Sequence, residues 1–239
     1  MLISTATARA LDDIAIRERD VMHAFTPGAV PERSDVARTG GAQFSLDPLC
    51  VAAPEGAYFV CTDERGRQCY TRDGGFAFRD GALVDRDGRA ILGYREAGAP
   101  LSPLSADPVD AALGLTGDVR VEADGSVTYR RATIDPRSGK REMQVTTLGR
   151  VALARFAAAT KLQAVDAARM VAPAGIAPHL GRPGDGNFGE LHPFARERSG
   201  IDIDRGLKRL QESYLALDAL HGAQLARDGV RKTAMDLLK

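Results

Sequence analysis

Tryptophan is absent from the sequence, and aromatic residues make up only 5% of its 239 residues. Surfaces that stack on nucleic-acid bases or on sugars depend on aromatic side chains, so the composition argues against such a surface. The charges cancel as well, because 32 basic and 32 acidic residues leave a formal net charge of zero. A chain without net charge has no broad attraction to nucleic acid or to anionic lipid, and neither is expected as a partner.

Long apolar runs are also missing. No segment has the roughly 20 apolar residues in a row that a membrane-spanning helix needs, so membrane insertion is not expected. The start of the chain, from Met1 to Arg9, does not combine a basic region with an apolar stretch of signal-peptide length. Taken alone, these absences predict a cytoplasmic protein. The hydrophobic fraction of 44% is that of a globular chain with a substantial core.

Motifs for catalysis, cofactors and metals are lacking too. The four histidines are scattered without metal-ligand spacing: His23, His179, His192 and His221. The Gly-x-Ser-x-Gly nucleophile motif does not occur, and Asp85 and Asp87 are expected in turns because the EF-hand spacing is missing. The glycine-rich segment 181–189 lacks the Gly-Lys-Ser/Thr ending of a phosphate-binding loop, so it is predicted to be a turn-rich loop.

The chain is therefore not expected to be an enzyme. We predict no catalytic, cofactor-binding or metal-binding residues and no small-molecule substrate. Carboxylate pairs of the glycoside-hydrolase type come together only in the folded chain, so the sequence leaves them open.

Only three cysteines are present, Cys50, Cys61 and Cys69, and their spacing fits no metal site. If residues 64–66 form a three-residue hairpin loop, Cys61 and Cys69 face each other across two strands. The pattern leaves two states open, a cross-strand disulfide or two buried free thiols, and it favours the thiols.

The segment 70–93 is the most informative part of the sequence. Turn signals recur at 73–75, 80–81 and 87–88, and apolar residues between them alternate in the period-2 manner of a strand. Gly74 and Gly75 are expected to supply the positive backbone dihedrals of a tight turn. The spacing predicts a compact β meander. Its signature residues are Tyr70, Thr71, Arg72, Asp73, Gly74, Phe76, Gly81, Leu83, Val84, Gly88, Leu92 and Gly93.

Arg72 and Asp73 need a role that turn chemistry alone does not supply. One interpretation is a structural ion pair or hydrogen-bond clamp across the turn. The other is a solvated arginine, because an exposed ion pair contributes only about 0 to 1 kcal/mol.

The order Tyr-Thr-Arg-Asp-Gly-x-Phe at 70–76, with Gly-x-Leu-Val at 81–84 and Gly-x-x-Ile-Leu-Gly at 88–93, resembles the bacterial flagellar rod and hook family. Within that family the chain length is similar to that of the basal-body rod proteins. The Thr26-Pro27-Gly28 turn also matches. The positions where the family has asparagines hold Arg19, Asp20 and His23, which makes the chain a divergent member.

The C-terminal pattern of the family is echoed as well. The matching residues are Glu197, Ser199, Ile201, Asp202, Gln211 and Tyr214, and Gly200 replaces an asparagine. The resemblance also places a Pro-Gly-x-x-Gly loop before the C-terminal helix.

The predicted fold is a mainly β middle domain flanked by N- and C-terminal helices that pair as a coiled coil. The expected divisions are an N-terminal helix at 1–28, a linker at 29–43, a β-rich domain at 44–156, an irregular return segment at 157–198 and a C-terminal helix at 199–239. Residues 149–171 also carry a helical pattern, but we expect a strand from Arg150 to Phe156 and leave 157–170 open.

The two helices are expected to bury apolar seams. The seam residues are Ile3, Ile14 and Val21 in the first helix and Leu207, Leu210, Tyr214 and Leu217 in the second. Ser199 or Asp202 is expected to cap the second helix. Its three glycines oppose an unbroken helix, since each costs around 1 kcal/mol relative to alanine.

The resemblance implies a structural subunit of the flagellar rod that assembles helically and transmits torque. It also implies export through the flagellar export apparatus without a cleaved signal peptide, a location in the periplasm-spanning rod, and partners among copies of itself and other axial proteins. The alternative is a secreted β-rich adhesion or binding module that oligomerises through its C-terminal helix.

Overall fold

The computed structural model describes residues 5–29, 31, 40–108, 116–134, 141–158 and 160–237. Across these residues the fold is mainly β, with helix α1 at Thr5–Met22 near the start and helix α2 at Ile203–Leu237 near the end. The predicted fold class is confirmed at this level. The predicted seam residue Ile3 lies outside the described residues.

Seventeen short strands lie between the helices in the described part of the chain. The first nine are β1 Ala42–Phe44, β2 Val51–Ala52, β3 Ala57–Thr62, β4 Gln68–Thr71, β5 Ala77–Arg79, β6 Ala82–Val84, β7 Leu92–Tyr94, β8 Ser102–Pro103 and β9 Thr116–Val121. The others are β10 Ser126–Ile134, β11 Arg141–Val151, β12 Leu153–Arg155, β13 Gln163–Ala164, β14 Arg169–Val171, β15 His179–Gly181, β16 His192–Pro193 and β17 Ala195–Glu197.

Two larger antiparallel sheets organise these strands. One has the order β13-β14-β4-β3-β12-β15 and the other the order β8-β7-β11-β10-β9. Three further pairs are β1 with β17, β2 with β16, and β5 with β6. The main core contains side chains that are fully withdrawn from solvent, among them Phe59, Leu83, Ile91, Leu104 and Leu153.

The strand prediction for 150–156 is confirmed, and the competing helical pattern is not. The chain leaves the five-stranded sheet at Val151 and enters the six-stranded sheet at Leu153. Val151 and Leu153 pack in the main core, whereas Ala152 and Ala154 pack in a second cluster with Tyr58. Both faces of this strand are thus buried, which removes the polar alternation that identifies a half-exposed strand.

The segment 157–198 contains more regular structure than predicted. Strands β13 and β14 form a short hairpin; β14 pairs with β4, and β13 is an edge strand of the six-stranded sheet. Strand β15 completes the opposite edge by pairing with β12. Much of the return segment therefore belongs to the β domain.

Residues that alternate on both sides of Asp124-Gly125 predict a hairpin there, and the structure confirms it, because β9 and β10 pair with Val121 opposite Val127. Gly125 has a φ of 79°, as such a turn requires. The next hairpin is formed by β10 and β11, with Ile134 opposite Arg141.

The predicted hairpin turn at 73–75 is wrong. Strand β4 pairs with β3 and β14, whereas β5 pairs with β6 around the real turn at Asp80-Gly81. Gly74 and Gly75 are not among the residues with positive φ. Gly74 serves a different purpose, because a Cβ there would overlap the carbonyl oxygen of Val51 and lie 2.9 Å from its carbonyl carbon.

Helix α2 is unbroken over 35 residues despite its three glycines, a length of about 52 Å at 1.5 Å per residue. The predicted cap at Asp202 is confirmed, since its Oδ1 accepts a hydrogen bond from the backbone N–H of Arg205 at 3.1 Å. Neither described helix is long and apolar enough to cross a membrane.

The two helices lie against each other in antiparallel directions. Gln224 donates a hydrogen bond to Thr7 at 2.9 Å, and Ser213 donates one to Asp13 at 3.0 Å. Tyr214 donates to Glu18 from the same stretch of α2. The start of α1 therefore lies against the later part of α2, and the end of α1 lies against the earlier part.

The face that α2 turns toward α1 matches the predicted seam at Leu210 and Leu217. At the other two predicted positions, the residue one place earlier in the chain faces α1 instead. Its less exposed positions are Ile203, Gly206, Leu210, Ser213, Leu217, Leu220 and Gln224. Leu207 and Tyr214 remain 49% and 45% exposed. A Cβ on Gly206 would lie 3.1 Å from Val21 Cγ2, so the small residue permits close approach of the helices.

Candidate functional site

A buried ion pair joins the signature segment to the chain just before α2. The Nε and Nη2 atoms of Arg72 each lie 2.7 Å from carboxylate oxygens of Glu197, and the side chains are only 4% and 5% exposed. Arg72 Nη1 also donates to the backbone oxygen of Ala57 at 2.6 Å. Its guanidinium lies 5.6 Å from the centroid of the Tyr58 ring, within cation–π range.

The neighbouring residues form a second ion pair in the opposite sense. Asp73 accepts hydrogen bonds from Arg196 Nε at 3.3 Å and Nη2 at 3.5 Å. Asp73 also accepts the backbone N–H of Gly75 at 3.0 Å. The first residue of 72–73 thus pairs with the second residue of 196–197, and the second of 72–73 pairs with the first of 196–197. We call the two pairs, Arg72 with Glu197 and Arg196 with Asp73, the crossed ion pairs.

The turn that ends α1 packs directly on the same place. Gly28 has a φ of 67°, and a Cβ there would lie 2.5 Å from the backbone nitrogen of Asp73 and 2.7 Å from the carbonyl carbon of Arg72. Only glycine fits this position, because both the backbone angle and the space exclude a side chain. The end of the first helix therefore rests on the signature segment.

The start of α2 is tied to the same turn. Gly200 N–H donates to the oxygen of Ala29 at 2.9 Å, and Ser199 Oγ donates to the oxygen of His23 at 3.4 Å. A small apolar cluster formed by Ala24, Ala29, Ile201 and Ile203 lies underneath. We call the whole arrangement, made by 24–29, 72–74 and 196–203, the junction.

Burial dominates the electrostatics of the junction. It raises the pKa of Glu197 although Arg72 acts to lower that pKa, and it raises the pKa of Asp73 despite the hydrogen bond from Gly75 and the charge of Arg196. Removing one member of a buried pair leaves an uncompensated charge, which costs about 3 to 5 kcal/mol. This cost applies most directly to Arg72 and Glu197, because the side chain of Arg196 is 28% exposed.

A charged cavity of about 410 Å³ opens beside the junction, between the end of α1 and the β domain. Arg169 is its organising cation, because its side chain is 8% exposed and pairs with Asp166, with Asp87 at 3.3 Å and with Asp85 at 3.8 Å. Burial raises the pKa of Asp85 and of Asp166. The donors and acceptors here are occupied with one another, which makes the cluster a second connection between β14 and the turn after β6.

Large apolar side chains are exposed around the junction and along α2. Near the junction they are Met22, Phe25, Phe44, Leu46 and Phe194. On the outer part of α2 they are Leu225, Val230, Met235 and Leu237. A large exposed apolar patch is a feature of surfaces that contact other molecules, so these residues are candidates for such a contact.

The structure brings together only part of the predicted signature. Arg72, Asp73 and Gly74 lie in the junction, and Thr71 Oγ1 accepts the backbone N–H of Asp73 at 3.0 Å. Other members serve the main core, where Phe76 and Leu83 are buried. Arg72 does form a structural ion pair, but the expected clamp across the turn is wrong, because its partner Glu197 lies 125 residues away in the chain.

Sequence reasoning missed Arg196, and it named Glu197 only as part of a pattern. The available signal was the repeated order of charges, basic then acidic, at 72–73 and at 196–197. It also missed Arg169 and Asp166, whose pairing depends on the position of β14 between β13 and β4.

Among the described residues, no group of three or more histidine, cysteine, aspartate or glutamate side chains is arranged to hold a metal ion. The junction connects both helices to the β domain. A scan against protein-family models finds no match to this chain, and a search of curated proteins finds none either.

Proposed function

We propose that this chain is a structural subunit of the bacterial flagellar basal-body rod. In this role it is exported through the flagellar export apparatus and assembles with copies of itself and with other axial proteins. The observation that carries the proposal is the junction. Three of the segments on which the resemblance rests, 26–28, 70–76 and 197–202, are far apart in sequence and meet there.

The junction suits a part that transmits torque. The chain just after α1 and the chain just before α2 both contact residues 72–73. Force on either helix therefore passes into the sheets through the crossed ion pairs and the Gly28 contact. We further propose that α1 and α2 pair as an antiparallel coiled coil, in which Ile14, Leu210 and Leu217 are core positions. The heptad-like spacing of the less exposed α2 positions supports this.

The outer part of α2 supports assembly. The helix continues for about 20 Å beyond Gln224, its contact with Thr7, at 1.5 Å per residue. Leu225, Val230 and Leu237 are exposed on this part. In the proposed rod they pack on neighbouring subunits, and head-to-tail contacts that do not close into a ring build a helical filament.

The test uses the source bacterium with this gene deleted and complemented. Loss of rods and motility in the deletion strain is expected, with recovery by the wild-type gene. A variant carrying Leu225→Gln and Val230→Gln should be exported and fail to restore motility. The matched control carries Arg227→Gln and Lys232→Gln on the same exposed stretch and should restore it. Intact, motile flagella in the deletion strain would refute the rod role.

The alternative of a secreted binding module is favoured by the same outer part of α2, which could oligomerise such a module. Gene neighbourhood separates the two, since neighbours for flagellar export and ring proteins favour the rod. A purified chain that forms a closed oligomer of one size, from a strain whose flagella do not need it, would favour the module.

A further inference from the structure

Cys61 and Cys69 occupy directly opposite positions on the two central strands of the six-stranded sheet. Cys61 lies on β3, Cys69 on β4, and the register pairs them. The hairpin between them closes through a backbone hydrogen bond from Asp63 to Arg67 at 2.8 Å, with Gly66 at a φ of 74°. Directly opposite residues of antiparallel strands have Cα separations of about 4.5 or 5.5 Å, and both values suit a disulfide.

The side chains also point at each other. The two Sγ atoms are 2.8 Å apart, in contact as a thiol pair. Cys50, the third cysteine, has a different environment, because its backbone bridges to Gly75 near the junction. The geometry thus singles out one pair among the three possible pairings.

Burial determines when the pair can react. Cys61 is 0% and Cys69 is 1% exposed, so an oxidant cannot reach either sulfur in the folded sheet. The contact with Cys69 and burial both raise the pKa of Cys61, which removes the thiolate that disulfide exchange requires. Oxidation therefore has to take place while the hairpin is still open.

We propose that Cys61 and Cys69 form a disulfide as the β3–β4 hairpin folds in an oxidising compartment. The thiolate of one cysteine attacks the disulfide of a thiol–disulfide oxidant and forms a mixed disulfide. The second cysteine then displaces the oxidant's sulfur. One S–S bond forms in the chain and one is broken in the oxidant, which leaves with two electrons and two protons as a dithiol or as two thiols.

The proposal rests on the proposed function only for its setting, since a rod subunit folds outside the cytoplasm, where disulfides persist. Its chemistry depends on the hairpin alone. A test on the purified chain therefore separates failure of the disulfide from failure of the rod role.

The experiment refolds the denatured chain in a buffer of reduced and oxidised glutathione. Free thiols are then blocked under denaturing conditions without reductant. One adduct, on Cys50, is expected for the wild type instead of three, and a sample refolded in strong reductant should carry all three. Three adducts after complete refolding in the glutathione buffer would overturn the proposal.

The position of the bond can be read directly by mass spectrometry. Trypsin cleaves after Arg65 and Arg67, and a glutamate-specific protease cleaves after Glu55, so each cysteine lies on its own peptide. A linked pair of peptides containing Cys61 and Cys69 is expected. It should persist in a Cys50→Ser variant and vanish in Cys61→Ser. A link that involves Cys50 instead would also overturn the proposal.

Discussion

The buried ion pair between Arg72 and Glu197 predicts a large coupling energy in a double-mutant cycle. We consider the replacements Arg72→Met and Glu197→Leu, singly and together. Each single replacement leaves its partner charged, buried and unpaired, which costs about 3 to 5 kcal/mol of unfolding free energy. The double replacement removes both charges, and apolar residues of similar volume often restore or even increase stability.

The expected magnitude follows from these terms. Two independent losses would sum to about 6 to 10 kcal/mol, whereas the double variant should lose no more than about 3 kcal/mol, chiefly because the hydrogen bond from Arg72 to Ala57 is also gone. The coupling energy is then at least about 3 kcal/mol. Single losses of this size leave the chain measurably folded when its own unfolding free energy is in the upper part of the usual range of about 5 to 15 kcal/mol.

Urea unfolding followed by circular dichroism measures each corner of the cycle. Arg130 and Asp118 supply the matched control, because they pair at 3.3 Å with side chains 48% and 59% exposed. Their coupling should stay below about 1 kcal/mol. The Arg72→Met variant should also recover part of its loss as the pH falls, since protonation of Glu197 removes the unpaired charge. A coupling at 72 and 197 no larger than that of the exposed pair would refute the reasoning.

Two further predictions concern the close approach at Gly74 and the charge of Asp85. Gly74→Ala should lower the unfolding free energy by about 3 kcal/mol, because the added Cβ overlaps the Val51 carbonyl. In the control Gly222→Ala the added Cβ meets nothing within 4 Å, so this variant should raise the unfolding free energy by up to about 1 kcal/mol. Equal effects of the two variants in urea unfolding would contradict the argument. Burial raises the pKa of Asp85 above its value in the unfolded chain. At pH values between the two pKa values the folded state binds more protons than the unfolded state, so it gains stability as the pH falls through the folded pKa. Relative to Asp85→Asn, the wild type should therefore gain stability from pH 7 down to about 4, and a flat or falling difference would count against the burial effect.

Local patterns explain why much of the fold could be predicted from the sequence. The hairpin of β9 and β10 depends on alternation around Asp124-Gly125, and the start of α2 depends on the cap at Asp202. Each of these features is decided within a few residues. The strand at 150–156 is harder to predict from the sequence because both of its faces are buried. Its residues therefore do not alternate between apolar and polar side chains.

The junction could not be predicted in the same way. Arg72 and Glu197 are 125 residues apart in the chain. Their contact depends on how β4, β17, the end of α1 and the start of α2 are arranged around the sheets. The α2 seam shows a related limit. An apolar pattern points to Leu207 and Tyr214, whereas Gly206 and Ser213 face α1 because close approach favours a small residue and Ser213 bonds to Asp13.

The crossed order of charges also specifies the register in which the chain returns to the junction. A slip of one residue at 195–197 would bring Arg196 toward Arg72, placing like charges together in a buried site and moving alternate side chains to the other face. In the observed register, Glu197 of β17 pairs with Ala42 of β1. Five residues separate Glu197 from the first residue of α2, and the last of them, Asp202, caps the helix. Because α2 turns by about 100° per residue, a slip would also rotate its exposed apolar residues away from their direction. The crossed ion pairs thus set the direction in which α2 presents Leu225 and Val230, and a subunit of the proposed helical assembly requires one such direction in every copy.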